Sequence, residues 1–239
     1  MILRISVLSA SILQVVGAAY LSIGTFEDAE RALTVYIQPA GWAFSIWGLI
    51  YTLSFIYAVY QVVPRNDNTL LRKTRVPALV GFLGSIAWLY FAGMSSDLVW
   101  LTIPILFMMA IAFTRVVTAG DGDDAKQTLL SKKILLPYAA WTGIASWLNI
   151  QAIVNERGVI VSEQINLVSN YLLFACIAVF TLVYFKKSGY SAWYGGVMVW
   201  ASIGVVYANL NGGSQVFATL AGVLILVVIG LKLKDQFTS

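Results

Sequence analysis

Long apolar runs alternate with short polar segments along the whole chain. Eight runs stand out, near residues 3–24, 42–63, 76–94, 98–118, 134–154, 166–185, 190–208 and 215–233. At about 1.5 Å per residue, each reaches across a hydrocarbon core about 30 Å thick. In lipid the backbone must satisfy its own polar groups, so runs of this length predict helices. Only "MSSD" separates the third run from the fourth, which predicts a tight antiparallel hairpin.

The polar segments carry a lopsided charge. With the N-terminus inside, the inner set is Arg4, Arg65, Arg72, Lys73, Arg75, Arg115, Lys126, Lys132, Lys133, Lys186, Lys187, Lys232 and Lys234. Only Arg31 and Arg157 fall outside. The positive-inside rule then supports both the eight-run count and cytoplasmic N- and C-termini. "MILRISVLSASILQVVGAAY" has features of a signal peptide, but its apolar run exceeds a typical signal core, so it is read as a retained helix. The longest outer loop, "TFEDAERALTVYIQPAG" (25–41), places Glu27, Asp28 and Glu30 before an apolar "ALTVYI" and is expected to fold partly back onto the membrane surface. "GDGDD" has the acidic spacing of a calcium loop without the remaining ligands, so a solvated turn is expected.

Composition agrees with the pattern. Hydrophobic residues make up 59% of the chain and charged residues 11%, against about 25% charged in soluble proteins. Mean hydropathy is +0.82. The fold class expected is an all-α integral membrane protein with about eight transmembrane helices. The net charge of +4 then reflects topology and anionic headgroups, and no nucleic acid partner is expected.

Absences narrow the chemistry. There is no histidine, which removes the usual proton shuttle and haem ligand, and the single Cys176 can form neither an intrachain disulfide nor a metal cluster. No Asp, Glu, Lys or Arg lies near the middle of any run, Arg115 sitting at the inner end of the fourth. That argues against proton-coupled transport, and it excludes a retinal Schiff base. Acid–base chemistry would fall to tyrosine or to edge carboxylates such as Asp97 or Glu163, and no nucleophile–base pair is visible. No catalytic residue and no metal ligand is expected.

What remains is aromatic and mildly polar. Eight tryptophans occur in the chain. In the second run Phe44, Trp47, Tyr51 and Phe55 recur at spacings of three and four and so are expected to share a face, with Trp42 at the outer end where an interfacial belt lies. The fifth run repeats the pattern with Tyr138, Trp141, Ala145 and Leu148/Asn149; the third offers Gly81, Gly84, Ser85, Trp88 and Ala92; the seventh carries Trp193, Trp200 and Tyr207. Such stripes usually pack helices, but several converging on polar groups can line a pocket for a flat apolar ligand. Gln14, Asn149, Gln151, Asn209, Asn211 and Gln215 stand out among the polar groups within or beside the runs. For Asn149 an interhelical hydrogen bond is favoured over a ligand contact. Pro77 and Pro137 are placed in the first turns of their helices, whereas Pro104 is expected to kink the fourth.

These residues resemble a known family. "PAGWAFSIWGLIY" is similar to the second-helix motif of the translocator proteins, or tryptophan-rich sensory proteins (TspO/MBR), through Pro39, Trp42, Phe44, Trp47 and Tyr51. "LLPYAAWTGIASWLNIQAIVN" resembles the fifth-helix motif through Pro137, Tyr138, Trp141, Ala145, Leu148 and Asn149, and "GSIAWLYFAG" the third-helix motif through Trp88, with Ser85 where the family has Asn. The resemblance covers roughly residues 1–155. It implies a TspO-like five-helix bundle there, with three additional helices in 156–239.

Carried over by position, the resemblance implies a ligand-binding wall of Trp42, Phe44, Trp47, Tyr51, Trp88, Tyr138, Trp141, Ala145 and Asn149. Its implied ligands are hydrophobic and planar: a porphyrin or other tetrapyrrole, a sterol, a carotenoid or a lipid. Implied partners are the bilayer, such a small molecule, and a second copy in a homodimer; the expected location is a prokaryotic plasma membrane. Binding or sensing is the leading reading. Export of such lipophiles or of small metabolites is the first alternative, and enzymatic modification of a tetrapyrrole or lipid the second.

Overall fold

The computed structural model describes residues 1–21, 35–93 and 97–238. Residues 25–34 of the loop expected to fold partly back (25–41) and the "MSS" of the third connection lie outside them, as does the side chain of Asp97. Nine α-helices are described: α1 (Ile2–Leu21), α2 (Ile46–Val62), α3 (Thr69–Ala92), α4 (Thr102–Val117), α5 (Ala125–Ser131), α6 (Leu136–Glu156), α7 (Glu163–Lys187), α8 (Ala192–Leu210) and α9 (Gln215–Thr238). No strand occurs among the described residues. Short 3₁₀ turns at Gly41–Ser45 and Asp97–Leu101 lead into α2 and α4.

Six helical segments are long and apolar enough to cross a membrane: Ile2–Tyr20, Gly41–Val62, Thr69–Ala92, Leu98–Val117, Glu163–Lys187 and Gln215–Phe237. The other two long helices have the length but more polar content. α6 contains Asn149, Gln151 and Asn155, and α8 contains Trp193, Tyr194, Trp200, Tyr207 and Asn209.

Helix entries differ from the apolar pattern where a cap or a proline decides them. α3 starts seven residues before its apolar run, because the Asn68 side chain accepts a hydrogen bond from the Leu71 amide at 2.8 Å and caps the first turn. Pro77 therefore lies inside the helix and not in its first turn. Pro104 is the third residue of α4, after the 3₁₀ turn, where the missing amide donor is not needed. The expected mid-helix kink is thereby replaced by a change of helix type at the entry. The "GDGDD" stretch ends in a cap: Asp124 accepts from the Gln127 amide at 2.7 Å and starts α5, while Asp121 pairs with Lys132 at 3.1 Å.

Contacts divide the chain into two compact units, with the boundary inside α6. The first is Met1–Phe26 with Ile46–Thr142. Here α3 packs on α1 and α4, and α1 on α2. Gly81 lies against the Phe113 ring and Gly84 against Met109, so α3 and α4 run antiparallel with glycines at their closest approach.

The second unit is Glu27–Ser45 with Gly143–Ser239. α8 packs on α9 and on α7, and Gly195 sits against Phe185. The non-helical segment 35–40 is bound to this unit through its backbone. Ile37 N–H donates to Asn170 Oδ1 (3.3 Å), Ala40 N–H to Gly204 O (3.0 Å), and Asn209 Nδ2 to Tyr36 O (2.7 Å). Away from water, irregular backbone persists only where side chains and neighbouring carbonyls satisfy it in this way.

Candidate functional site: an aromatic cluster around Trp47

In the first unit α2 turns Trp47, Ile50, Tyr51, Ser54, Tyr57 and Ala58 inward. Trp47 is the hub. Its ring centroid lies 5.2 Å from Tyr51 and 6.0 Å from Trp88, both stacked, and 5.7 Å from Tyr138 and 6.4 Å from Trp141, both edge-on. These separations fall in the range where aromatic pairs attract, about 4.5–7 Å. All five side chains are buried, Trp47 at 9% exposure being the most accessible. Tyr138 is backed by Phe82 and Phe113, at 5.9 and 4.6 Å.

The cluster has a polar lining without charge. Tyr51 OH and Ser85 Oγ share a hydrogen bond at 3.0 Å, so the serine in the third-helix motif has a partner. Tyr138 OH donates to Gln14 Oε1 at 3.1 Å, with Gly81 O also within reach at 3.3 Å. Trp47 Nε1, Gln14 Nε2 and Ser11 Oγ are buried and have no hydrogen-bond partner. Ser11 and Gln14, three residues apart, lie on one side of α1. The arrangement offers π faces and neutral donors. Among the described residues no group of His, Cys, Asp or Glu is placed to hold a metal ion.

The other expected wall residues belong to the second unit. Trp42 is edge-on to Trp200 at 5.0 Å and to Tyr207 at 6.1 Å, and Trp200 Nε1 donates to Ala43 O at 2.8 Å. Phe44 is half-buried in the same 3₁₀ turn, and Ala145 and Asn149 are half-buried on the later part of α6. The structure thus gathers Trp47, Tyr51, Trp88, Tyr138 and Trp141 into one cluster and puts Trp42 in another. Phe55 leaves the expected face and is 44% exposed. Eight residues after Trp47 it has rotated about 80° away.

Two polar groupings were not read from the sequence. In the first unit Asp67 is bridged by Arg4 (3.1 Å), Arg72 (3.0 Å) and Arg75 (2.7 Å), and Arg75 Nε also donates to Gln61 Oε1 at 3.0 Å. The Arg75 hydrogen bond, ahead of the other guanidinium charges, holds the Asp67 carboxyl below its usual range. In the second unit four buried amides meet. Asn166 Oδ1 accepts from Gln151 Nε2 (3.0 Å), Asn155 Nδ2 (3.1 Å) and Asn170 Nδ2 (3.1 Å). The available signal was two amide pairs at a spacing of four, Gln151/Asn155 and Asn166/Asn170, at facing ends of consecutive apolar runs. Nearby, Tyr36 OH donates to Glu163 Oε1 at 2.9 Å, and that bond raises the phenol above its ordinary range.

The second unit also contains a cleft of about 30 Å³, lined chiefly by Ile37, Ile144, Phe174, Ile177, Met198 and Ser202. On that measure one water needs about 10–15 Å³, so the cleft has room for about two waters and none for a tetrapyrrole.

Neither the curated proteins nor the solved structures compared with this chain gave a match. A family model described as TSPO-like protein matches residues 1–233, and so runs through the three last helices as well as the motif-bearing ones. With that match and six segments long and apolar enough to cross a membrane, the chain belongs to the TSPO-like protein family and is an integral, multi-pass membrane protein.

Proposed function

We propose that this protein binds and senses a hydrophobic, planar ligand (a tetrapyrrole, sterol or carotenoid) at the aromatic cluster of the first unit. The observation that carries the reading is the convergence of Tyr51, Trp88, Tyr138 and Trp141 on Trp47, whose buried indole N–H has no acceptor. A flat ligand stacking on these rings and offering one acceptor would complete the site, because each π face contributes dispersion and the N–H gains the bond it lacks. The rings touch one another, so binding has to part them, and sensing would be the repacking of α2, α3 and α6 that follows. In the same reading all eight long helices span the membrane, both termini are cytoplasmic, the membrane is a prokaryotic plasma membrane and the protein is a homodimer.

The test is intrinsic tryptophan fluorescence of purified protein, titrated with a porphyrin and with a sterol, beside a Trp47→Phe/Trp141→Phe double variant. Saturable quenching that weakens about tenfold or more in the variant supports the site. Absence of saturable quenching means that these tryptophans only pack helices. Flux of the bound compound into proteoliposomes would turn the reading from sensing to transport.

A further inference from the structure

One end of the first unit gathers three cations on a single acid. Arg4 stands at the start of the segment Ile2–Tyr20, and Arg72 and Arg75 in the first two turns of Thr69–Ala92, both segments being long and apolar enough to cross a membrane. Asp67 lies just before α3 and bridges Arg4 Nη2 at 3.1 Å, Arg72 Nη2 at 3.0 Å and Arg75 Nη2 at 2.7 Å. Among the described residues no other carboxylate pairs with these arginines. Three positive charges therefore face one negative, and two are left without a counter-ion. Elsewhere in the unit Lys132 and Asp121 pair one to one at 3.1 Å.

The excess stands where a helix disfavours it. The first turns of α3 are the positive end of its dipole, which attracts anions, yet they carry Arg72, Lys73 and Arg75. Arg75 is buried, and its donors are taken up by Asp67 and Gln61: Gln61 Oε1 accepts from Nε at 3.0 Å and Gln61 O from Nη2 at 3.3 Å. Arg72 and Arg4 have donors to spare. Arg72 is exposed and spends Nε and Nη2 on Asp67 Oδ2, which leaves Nη1. Arg4 meets Asp67 through Nη2, which leaves Nε and Nη1. Guanidinium nitrogens in excess of carboxylate oxygens, held side by side by a shared acid, are a donor set that phosphate oxygens match. The cluster sits at the ends of membrane-crossing segments, at the depth of lipid headgroups.

We infer that Arg4 and Arg72, set beside one another by Asp67, bind a phosphate group, and the depth of the cluster favours that of an acidic phospholipid. Arg75 supplies buried positive charge behind them. This site is separate from the aromatic cluster, so either can fail alone.

The test is the melting temperature of the purified full-length protein in dodecyl maltoside, titrated with lipid. Dioleoylphosphatidylglycerol should raise it saturably, by about 3 °C or more, because a ligand of the folded state stabilises that state. Dioleoylphosphatidylcholine, whose ammonium cancels the phosphate charge, should raise it clearly less. Arg72→Gln, at an exposed side chain, should fold and should need about tenfold more phosphatidylglycerol for half the shift. Lys186→Gln removes an exposed charge at the end of α7 and should leave that midpoint unchanged. Inorganic phosphate is the soluble arm: a shift that competes with the lipid assigns free phosphate to the same arginines, and no shift assigns the lipid. Should Arg72→Gln fail to fold, Arg4→Gln and the contrast between the two lipids decide the matter. No shift with either lipid or with phosphate, equal shifts from the two lipids, or equal weakening by Arg72→Gln and Lys186→Gln would each overturn the inference, since any attraction would then be diffuse.

Discussion

The Tyr138 hydroxyl donates to the side-chain oxygen of Gln14 at 3.1 Å, tying α6 to α1 inside the first unit. Both side chains are fully buried. Tyr138→Phe keeps the ring against Trp47 and Phe113 and removes only the donor. Interhelical hydrogen bonds in bilayers are worth about 0.6–2 kcal/mol, so the variant should lose about 1 kcal/mol. Gln14→Leu should lose less, since it also removes the unpartnered Nε2. Unfolding in mixed micelles, arranged as a double-mutant cycle, checks this, and additivity of the two changes would show that the bond is not formed.

The α3–α4 contact gives a second expectation. A methyl group at Gly81 would meet the Phe113 ring, and one at Gly84 would meet Cγ and Sδ of Met109. Phe113 is itself packed on Tyr138, and Met109 is fully buried, with the atom nearest Gly84 close to its backbone. Gly81→Ala and Gly84→Ala should therefore each cost about 1–3 kcal/mol, as overpacking does. Paired melting curves decide it; an unchanged melting temperature in either variant would mean that the two helices are not held in close approach at that glycine.

Asp67 makes stability depend on acid pH. Its folded carboxyl is held below the unfolded value of about 3.9. The stabilisation is therefore present above about pH 4 and is lost as pH falls through the depressed folded value. Asp67→Asn should flatten that acid limb. It should also destabilise more than Arg72→Gln, because Arg75 is 6% exposed and Arg72 69%, and removing the partner of a buried charge costs more than trimming an exposed pair. Melting temperature against pH for both variants is the measurement.

Tyr36 should titrate late. Its bond to Glu163 raises the phenol above about 10. A raised pKa means stability that is complete below the unfolded value and is lost as pH rises through the folded one. Glu163→Gln should bring the tyrosinate absorbance transition of Tyr36 back toward 10, read as the difference between this variant and the same variant carrying Tyr36→Phe. An unmoved transition would count against the contact.

The aromatic site was legible in part, because α-helical periodicity holds wherever the helix is regular. Trp47 with Tyr51, and Tyr138 with Trp141, were read as stripes and are buried together. The grouping of Trp42 with Trp200 and Tyr207 was not legible, since it joins residues far apart in sequence. The entry of α3 was missed because a hydropathy run cannot register an Asn68 cap or a charged first turn anchored on Asp67. The amide cluster was missed because each amide alone is an ordinary polar residue, and only convergence on Asn166 Oδ1 makes them a group.

The one-dimensional order of residues was enough to determine the solvent and the helical character of the long apolar segments. Burying apolar runs in lipid and closing backbone hydrogen bonds locally are both properties of contiguous sequence. It also set the inventory of side chains, with no histidine and Cys176 as the single cysteine. Which aromatics meet, on which amide oxygen the others converge, and which arginine is buried were decided only in three dimensions. Those outcomes depend on helix–helix approach at glycines such as Gly81 and Gly84 and on side chains brought together from distant segments, and no periodicity along one chain carries that information.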